Sequence, residues 1–127
     1  MQKSITILAI LMVSSLFLLA GCGTKKTETT TTVSSGNVKE FTITAKQFDF
    51  SPSTITASVG DTVKLHIKSV DVPHGFALPE FGVSQRLEPG QTVDIEFVAD
   101  KKGTFNFFCS VQCGLGHGGM RGQLIVR

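Results

Sequence analysis

The 127 residues include 12 basic and 10 acidic side chains, for a formal charge of +2, and 41% of the chain is hydrophobic. Such a balance leaves no basic footprint for nucleic acid, and the length allows one small folded domain beside a leader. Ten phenylalanines with no tryptophan or tyrosine, and three cysteines, are the compositional anomalies.

Met1-Gln2-Lys3 opens the chain with a positive charge. An apolar run from Ile5 to Leu19 follows, broken only by Thr6, Ser14 and Ser15. A charged start and a short apolar stretch make a secretory signal, and the run falls short of the roughly 20 apolar residues a membrane span needs. Leu19-Ala20-Gly21-Cys22 resembles the lipobox of bacterial lipoproteins. That resemblance implies a signal peptide over residues 1–21, a lipid on Cys22 and the bilayer as a partner. An ordinary signal cleaved near Ala20-Gly21 is the plainer alternative, and either one exports the folded part. Residues 22–37 are mostly Thr, Ser and Lys, with Val33 the one clearly apolar side chain after the cysteine. Such a segment cannot bury enough surface to offset its ordering entropy, so it reads as a flexible tether.

With Lys3, Lys25, Lys26 and Glu28 upstream, residues 38–127 balance nine basic against nine acidic side chains. Short β-rich runs fill this segment, and no long amphipathic helix is visible. Residues 41–45 (Phe-Thr-Ile-Thr-Ala) alternate apolar and polar, and Phe48 and Phe50 follow. Ser51-Pro52-Ser53 turns the chain into a run at 54–59, and Gly60-Asp61 turns it into 62–68. There His66 lies between Leu65 and Ile67 and points to solvent. Residues 74–78 and 84–87 read as short strands. Pro89-Gly90 precedes 92–98, Lys101-Lys102-Gly103 precedes 104–109, and 123–127 closes the chain. Strands at this spacing predict an all-β sandwich or barrel of roughly seven or eight strands.

Between the last two runs lies Cys109-Ser-Val-Gln-Cys113-Gly-Leu-Gly-His117-Gly-Gly-Met120. It offers two thiols, an imidazole and a thioether, donors suited to copper more than to calcium, magnesium or manganese. Spacings of four, four and three would fit a helix face. Gly114, Gly116, Gly118 and Gly119 argue for a loop, since each costs about 1 kcal/mol in a helix interior. A further imidazole, His74, stands between Pro73 and Gly75 at a bend entering a strand, and sandwich loops gather at one end. Export favours a disulfide between Cys109 and Cys113, though so small a loop gives little stabilisation. On the residues alone three metal readings stay open. One copper could be held by His74, Cys113, His117 and Met120, which leaves Cys109 idle. A zinc site is another, poorly suited by a thioether. The third uses both thiols.

Cys109-x3-Cys113-x3-His117-x2-Met120, with His74 in Asp-Val-x-His, resembles the binuclear copper centre CuA of cytochrome c oxidase subunit II and of nitrous oxide reductases. Cys113-Gly-Leu-Gly-His117 and Pro79-Glu-Phe-Gly82 are the more oxidase-like parts. The resemblance covers essentially all of residues 38–127 and implies a cupredoxin CuA domain, a Greek-key β-sandwich or barrel. It implies two copper ions bridged by the thiolates of Cys109 and Cys113, with one copper each on His74 and His117. Met120 is then a weak ligand to the copper held by His74, and the backbone carbonyl of Val111 a weak ligand to the other.

By the same resemblance the chain is an electron carrier with no catalysis of its own, anchored in the bacterial cell envelope. It would serve respiration between a donor such as a c-type cytochrome and an acceptor such as a haem–copper oxidase subunit. A copper chaperone and a thiol reductant would serve loading. Two features depart from the family. A lipid anchor replaces the transmembrane helices of subunit II, and the tryptophan-bearing patch that meets cytochrome c is not carried over. A copper-binding accessory protein, storing or delivering the metal during oxidase assembly, is the reading from a different class.

Overall fold

The computed structural model describes residues 36–127. The expected signal peptide at 1–21, the lipid site at Cys22 and the tether up to residue 35 lie outside the described residues. The described residues form nine strands, most of them with alternating side chains: β1 (Val38–Lys46), β2 (Asp49–Ser51), β3 (Thr54–Ala57), β4 (Thr62–Ser69), β5 (His74–Leu78), β6 (Val83–Leu87), β7 (Thr92–Val98), β8 (Gly103–Phe108) and β9 (Arg121–Val126). Two single turns of 3-10 helix interrupt them, at Pro79–Phe81 and His117–Gly119. One sheet has the order β2-β1-β4-β7 and the other β3-β9-β8-β5-β6. Both sheets are mixed, because β1 runs parallel to β4 and β3 parallel to β9. The expected all-β fold is met with one strand more than foreseen. The extra strand is β2, three residues that fold back on the end of β1 through the pairs Thr44–Ser51, Ala45–Phe50 and Lys46–Asp49. Among the described residues no helix is long and apolar enough to cross a membrane.

The two sheets enclose a core built on phenylalanine. Phe50, Phe76 and Phe107 are fully buried, with ring centroids 4.9 to 5.6 Å apart. Two of the three contacts are edge-on, the arrangement aromatic quadrupoles favour. A second group, Phe81 with Phe97 and Phe105, has centroids 4.9 and 5.0 Å apart. Side chains alternate along a strand, so residues two apart share a face. That parity places His74 with Phe76 and Leu78 on β5. It places Cys109, just past the end of β8, with Phe105 and Phe107. It places Met120, just before β9, with Gly122, Leu124 and Val126. His74, Cys109 and Met120 are therefore the last inward positions of three strands of one sheet, immediately beyond the aromatic layer.

Phe107 faces Gly122 across the β8–β9 pair. A β carbon at Gly122 would lie 2.3 Å from the Phe107 ring and 2.5 Å from the backbone oxygen of Ser53. The ring could shift, but the backbone oxygen is held by the sheet. Gly122→Ala is accordingly expected to cost about 1–3 kcal/mol in a denaturant melt, the range of an overpacked core. Gly118→Ala, where an added β carbon meets nothing within 4 Å, should stay within about 0.5 kcal/mol of the parent. Equal stability of the two variants would refute this account of the β8–β9 contact.

Candidate metal centre

Each donor reaches the centre by a different local device. His74 enters from the start of β5 and is fully buried. Its Nε2 donates to Asp71 Oδ1 at 2.8 Å, which leaves Nδ1 as the bare nitrogen. That nitrogen lies 3.8 Å from the Cys109 sulfur. Fixing one ring nitrogen by a carboxylate selects the tautomer whose other nitrogen can bind a metal. Asp71 is itself held by the N–H of Gln47 at 2.7 Å and by that of Val72 at 2.7 Å. Burial pushes its carboxyl up, but the Gln47 N–H, His74 and the Val72 N–H together outweigh that and hold it below the usual value.

Cys109 and Cys113 are both buried and both free thiols, with sulfurs 3.7 Å apart. A disulfide bond is about 2.05 Å long, so the bridge that export favours is not formed here. Cys109 Sγ donates to the Val111 carbonyl at 3.0 Å and accepts the Gly75 N–H at 3.4 Å. The backbone oxygen of Val111 thus points at the Cys109 sulfur whatever its side chain does. Cys113 Sγ has His117 Nδ1 at 3.8 Å and the Met120 thioether at 3.8 Å. The donor atoms of His74, Cys109 and Cys113 all lie within 4.8 Å of one another. His117 joins this cluster through Cys113 and is only half-buried, whereas Met120 is buried.

The segment 109–120 is a loop, as its glycines predict, with one 3-10 turn at His117–Gly119. Its ends are tied where the Cys109 N–H donates to the Met120 carbonyl at 3.0 Å. The ring of Phe48 occupies the space beside Gly114 and Gly116, where added β carbons would come within 2.9 and 2.3 Å of it. Arg121 reaches back to donate to the Gly118 carbonyl. A cavity of about 200 Å³ opens beside Cys109, His117 and Met120, rimmed by Asn106 and Arg121. His66 lies elsewhere, on the outward side of β4, with its Nδ1 2.6 Å from Asp94.

All six sequence-predicted positions, His74, Cys109, Val111, Cys113, His117 and Met120, converge at this end. Two contributors carry no assigned role in the sequence reading, Asp71 and Gln47. Asp71 left a usable signal, a carboxylate three residues before a histidine with a proline between. Gln47 left none, since it acts from another segment through a backbone N–H and a side-chain bond to the Cys113 carbonyl at 2.5 Å. The donor set fits a soft or borderline transition metal. Two thiols, two imidazoles, a thioether and a carbonyl turn inward, and the thiols and thioether pack as part of the core.

A family model for the cupredoxin-like domain matches residues 8–126. The nitrous-oxide reductase of Stutzerimonas stutzeri is 36% identical over 95 residues, 72% of this chain and 15% of that protein. Cytochrome c oxidase subunit 2 of Thermus thermophilus is 28% identical over 85 residues, 67% of this chain and 63% of that protein. The chain thus spans less than two thirds of the length of either relative. A crystal structure of the mixed disulfide intermediate between a thioredoxin-like protein and subunit II of cytochrome c oxidase is similar with a TM-score of 0.58. That match has 25% identity and covers 69% of this chain and 80% of the matched one.

Burial, the Cys109 thiol hydrogen bond and the Cys109 charge push the Cys113 thiol up to about 11 from an ordinary 9.0. A raised folded-state value means that the neutral thiol is the form the fold favours. The resulting stability is complete below the ordinary value and is lost as pH rises through about 11. Metal-free protein should therefore lose thermal stability between about pH 9 and 11, and Cys113→Ala should flatten that alkaline loss. Parallel alkaline profiles for the two proteins would contradict it.

Proposed function

The chain belongs to the cupredoxin-like domain family, and on that premise we propose that it is an exported, membrane-anchored electron-transfer protein with a binuclear copper centre. The observation that carries this reading is the pairing of donors. The two buried thiols lie 3.7 Å apart, and each has its own imidazole nitrogen at 3.8 Å, His74 beside Cys109 and His117 beside Cys113. A one-copper site needs one thiol, and Cys109 would then be a buried donor without a task. In the proposed arrangement the thiols of Cys109 and Cys113 would be shared by both metals, and His74 and His117 would each hold one. Met120 would be the weak ligand on the His74 side, and the Val111 carbonyl the weak ligand on the other.

Copper bound there supplies a one-electron couple shared between two metals. The chain's own part is to hold the donors still and keep water out. The aromatic layer of Phe76 and Phe107 lies directly behind His74 and Cys109, and Asp71 fixes the His74 ring. A rigid, dry site changes little in geometry when charge changes, which is what single-electron transfer requires. The residues gathered here include no general base poised on a hydroxyl, which supports a carrier over an enzyme acting alone.

Similarity to cytochrome c oxidase subunit 2 supports a place in respiration. The proposed donor is a c-type cytochrome and the proposed acceptor a haem–copper oxidase subunit. Residues 1–21 are the proposed export signal, Cys22 the lipid anchor to the bacterial envelope membrane, and residues 22–37 the tether. Free thiols at 109 and 113 in an oxidising compartment call for a thiol reductant, in addition to a copper chaperone, before loading. A thioredoxin-like protein caught in mixed disulfide with an oxidase subunit II supports such a reductant.

The test is to load the protein with copper under reducing conditions and record stoichiometry and the electron paramagnetic resonance spectrum. Two coppers per chain with hyperfine structure from both nuclei are expected, and Cys109→Ser should abolish the shared pattern. One copper with a single-nucleus pattern would overturn the binuclear reading. Rapid release of the metal to a copper-free acceptor would instead favour storage or delivery during oxidase assembly.

A further inference from the structure

Gln47 belongs to neither the Asp71–His74 segment nor the 109–120 loop, yet it binds both. It sits in the two-residue turn between β1 and β2. Its backbone N–H donates to Asp71 Oδ2 at 2.7 Å, and Asp71 orients the His74 ring. Its side-chain Nε2 donates to the Cys113 carbonyl at 2.5 Å. The next residue, Phe48, fills the space beside Gly114 and Gly116. The centre is thus assembled from two segments and held in register by a third.

We propose that Gln47 is the positioning residue of this centre, fixing the separation of its His74 half from its Cys113 half. The reason lies in the peptide that follows Cys113. Gly114 has φ +136°, a region where glycine has freedom that other residues lack. That freedom lets the Cys113–Gly114 peptide rotate unless its carbonyl is held. The Gln47 amide holds it, and the Cys113 side chain keeps its direction with it. The other half is tied through the backbone N–H of the same residue, so displacement of one half is resisted by the other. Gln47 is exposed, so its side-chain bond competes with water and contributes little to global stability. Its effect is on geometry, and a metal pair registers geometry far more sharply than a melting curve does.

The inference rests on the two-copper reading proposed above. Its test replaces Gln47 with leucine, which fills similar space but donates nothing, and leaves the backbone bond to Asp71 in place. The comparison is Val126→Ala, a core truncation at the opposite end of β9 from Met120. Both variants and the parent are loaded with copper in the full chain. Gln47→Leu should keep two coppers with unequal hyperfine couplings and should lose copper affinity by about 10–100-fold, as removal of outer partners does. In the copper-free protein the carbonyl carbon resonance of Cys113 should shift. Val126→Ala should lower the melting temperature more while leaving couplings and affinity at the parent's values. Parent-like couplings and affinity in Gln47→Leu, or changes no larger than those of Val126→Ala, would overturn the inference. If the parent itself binds one copper, the two-copper reading fails, and the role of Gln47 is decided by the affinity ratio and the Cys113 resonance alone.

Discussion

The contact between Phe107 and Gly122 sets the geometry on which the centre depends. The ring fills the space a side chain opposite would need, so β8 and β9 pair in one register only. A slip of one residue would turn every side chain to the other face. With the register fixed, Cys109 and Met120 are the next inward positions beyond that pair, joined by the hydrogen bond from the Cys109 N–H to the Met120 carbonyl. On β5, Phe76 packs on Phe107, and His74 is the next inward position beyond it, with its Nδ1 3.8 Å from the Cys109 sulfur. The donors are thus continuations of the core pattern, and the aromatic layer orients them before any metal is considered.

Burying a set of polar donors has a cost, which this chain limits by its choice of groups. Thiols and a thioether are nearly apolar, so Cys109, Cys113 and Met120 join the hydrophobic cluster without needing strong partners. His74 is the one fully buried imidazole. One nitrogen donates to Asp71 and the other faces Cys109, so neither is stranded. Among the described residues no buried side-chain nitrogen or oxygen lacks a partner. Burial pushes both titrating neighbours upward, but the net outcomes are opposite. It raises the Cys113 thiol, whereas at Asp71 three hydrogen bonds overcome it. The metal-free pocket therefore favours the neutral Cys113 thiol beside a charged Asp71 carboxylate placed toward the surface, outside the donor ring.

The sequence shows much of this fold because its strands alternate. β1, β4 and β7 keep a regular inward and outward pattern, and His66 lies outward between the buried Leu65 and Ile67. The shortest piece escapes such reading, because residues 49–51 are too few to show a period. β5 shows no alternation, since it is buried on both faces, yet the bend at Pro73 and Gly75 around His74 marks its start and residues 74–78 are read as a strand. The donor loop is legible because its chemistry is concentrated in twelve consecutive residues. The helix-like spacing within it is set aside by its glycines, and one 3-10 turn is all the helix that forms. Gln47 is hidden because a hydrogen bond from a distant turn to a backbone carbonyl imposes no pattern on the sequence.

The two imidazoles of the centre differ in what surrounds them, and that difference assigns them different tasks. His74 lies under the sheet end, tied by Asp71 and through it by Gln47 and Val72. His117 stands half-buried in the 3-10 turn, beside the fully exposed Leu115 and near the cavity rimmed by Asn106 and Arg121. A ligand held from behind keeps its place when the molecule meets another surface. A ligand set in a glycine-rich turn offers its edge to that surface with few side chains in between. On the reading proposed above, His74 preserves the geometry that makes transfer fast, and His117 is the side from which a partner is reached. Rigidity at His74 leaves the His117 face free to stay small and open, with Arg121 folded back on the Gly118 carbonyl at its rim.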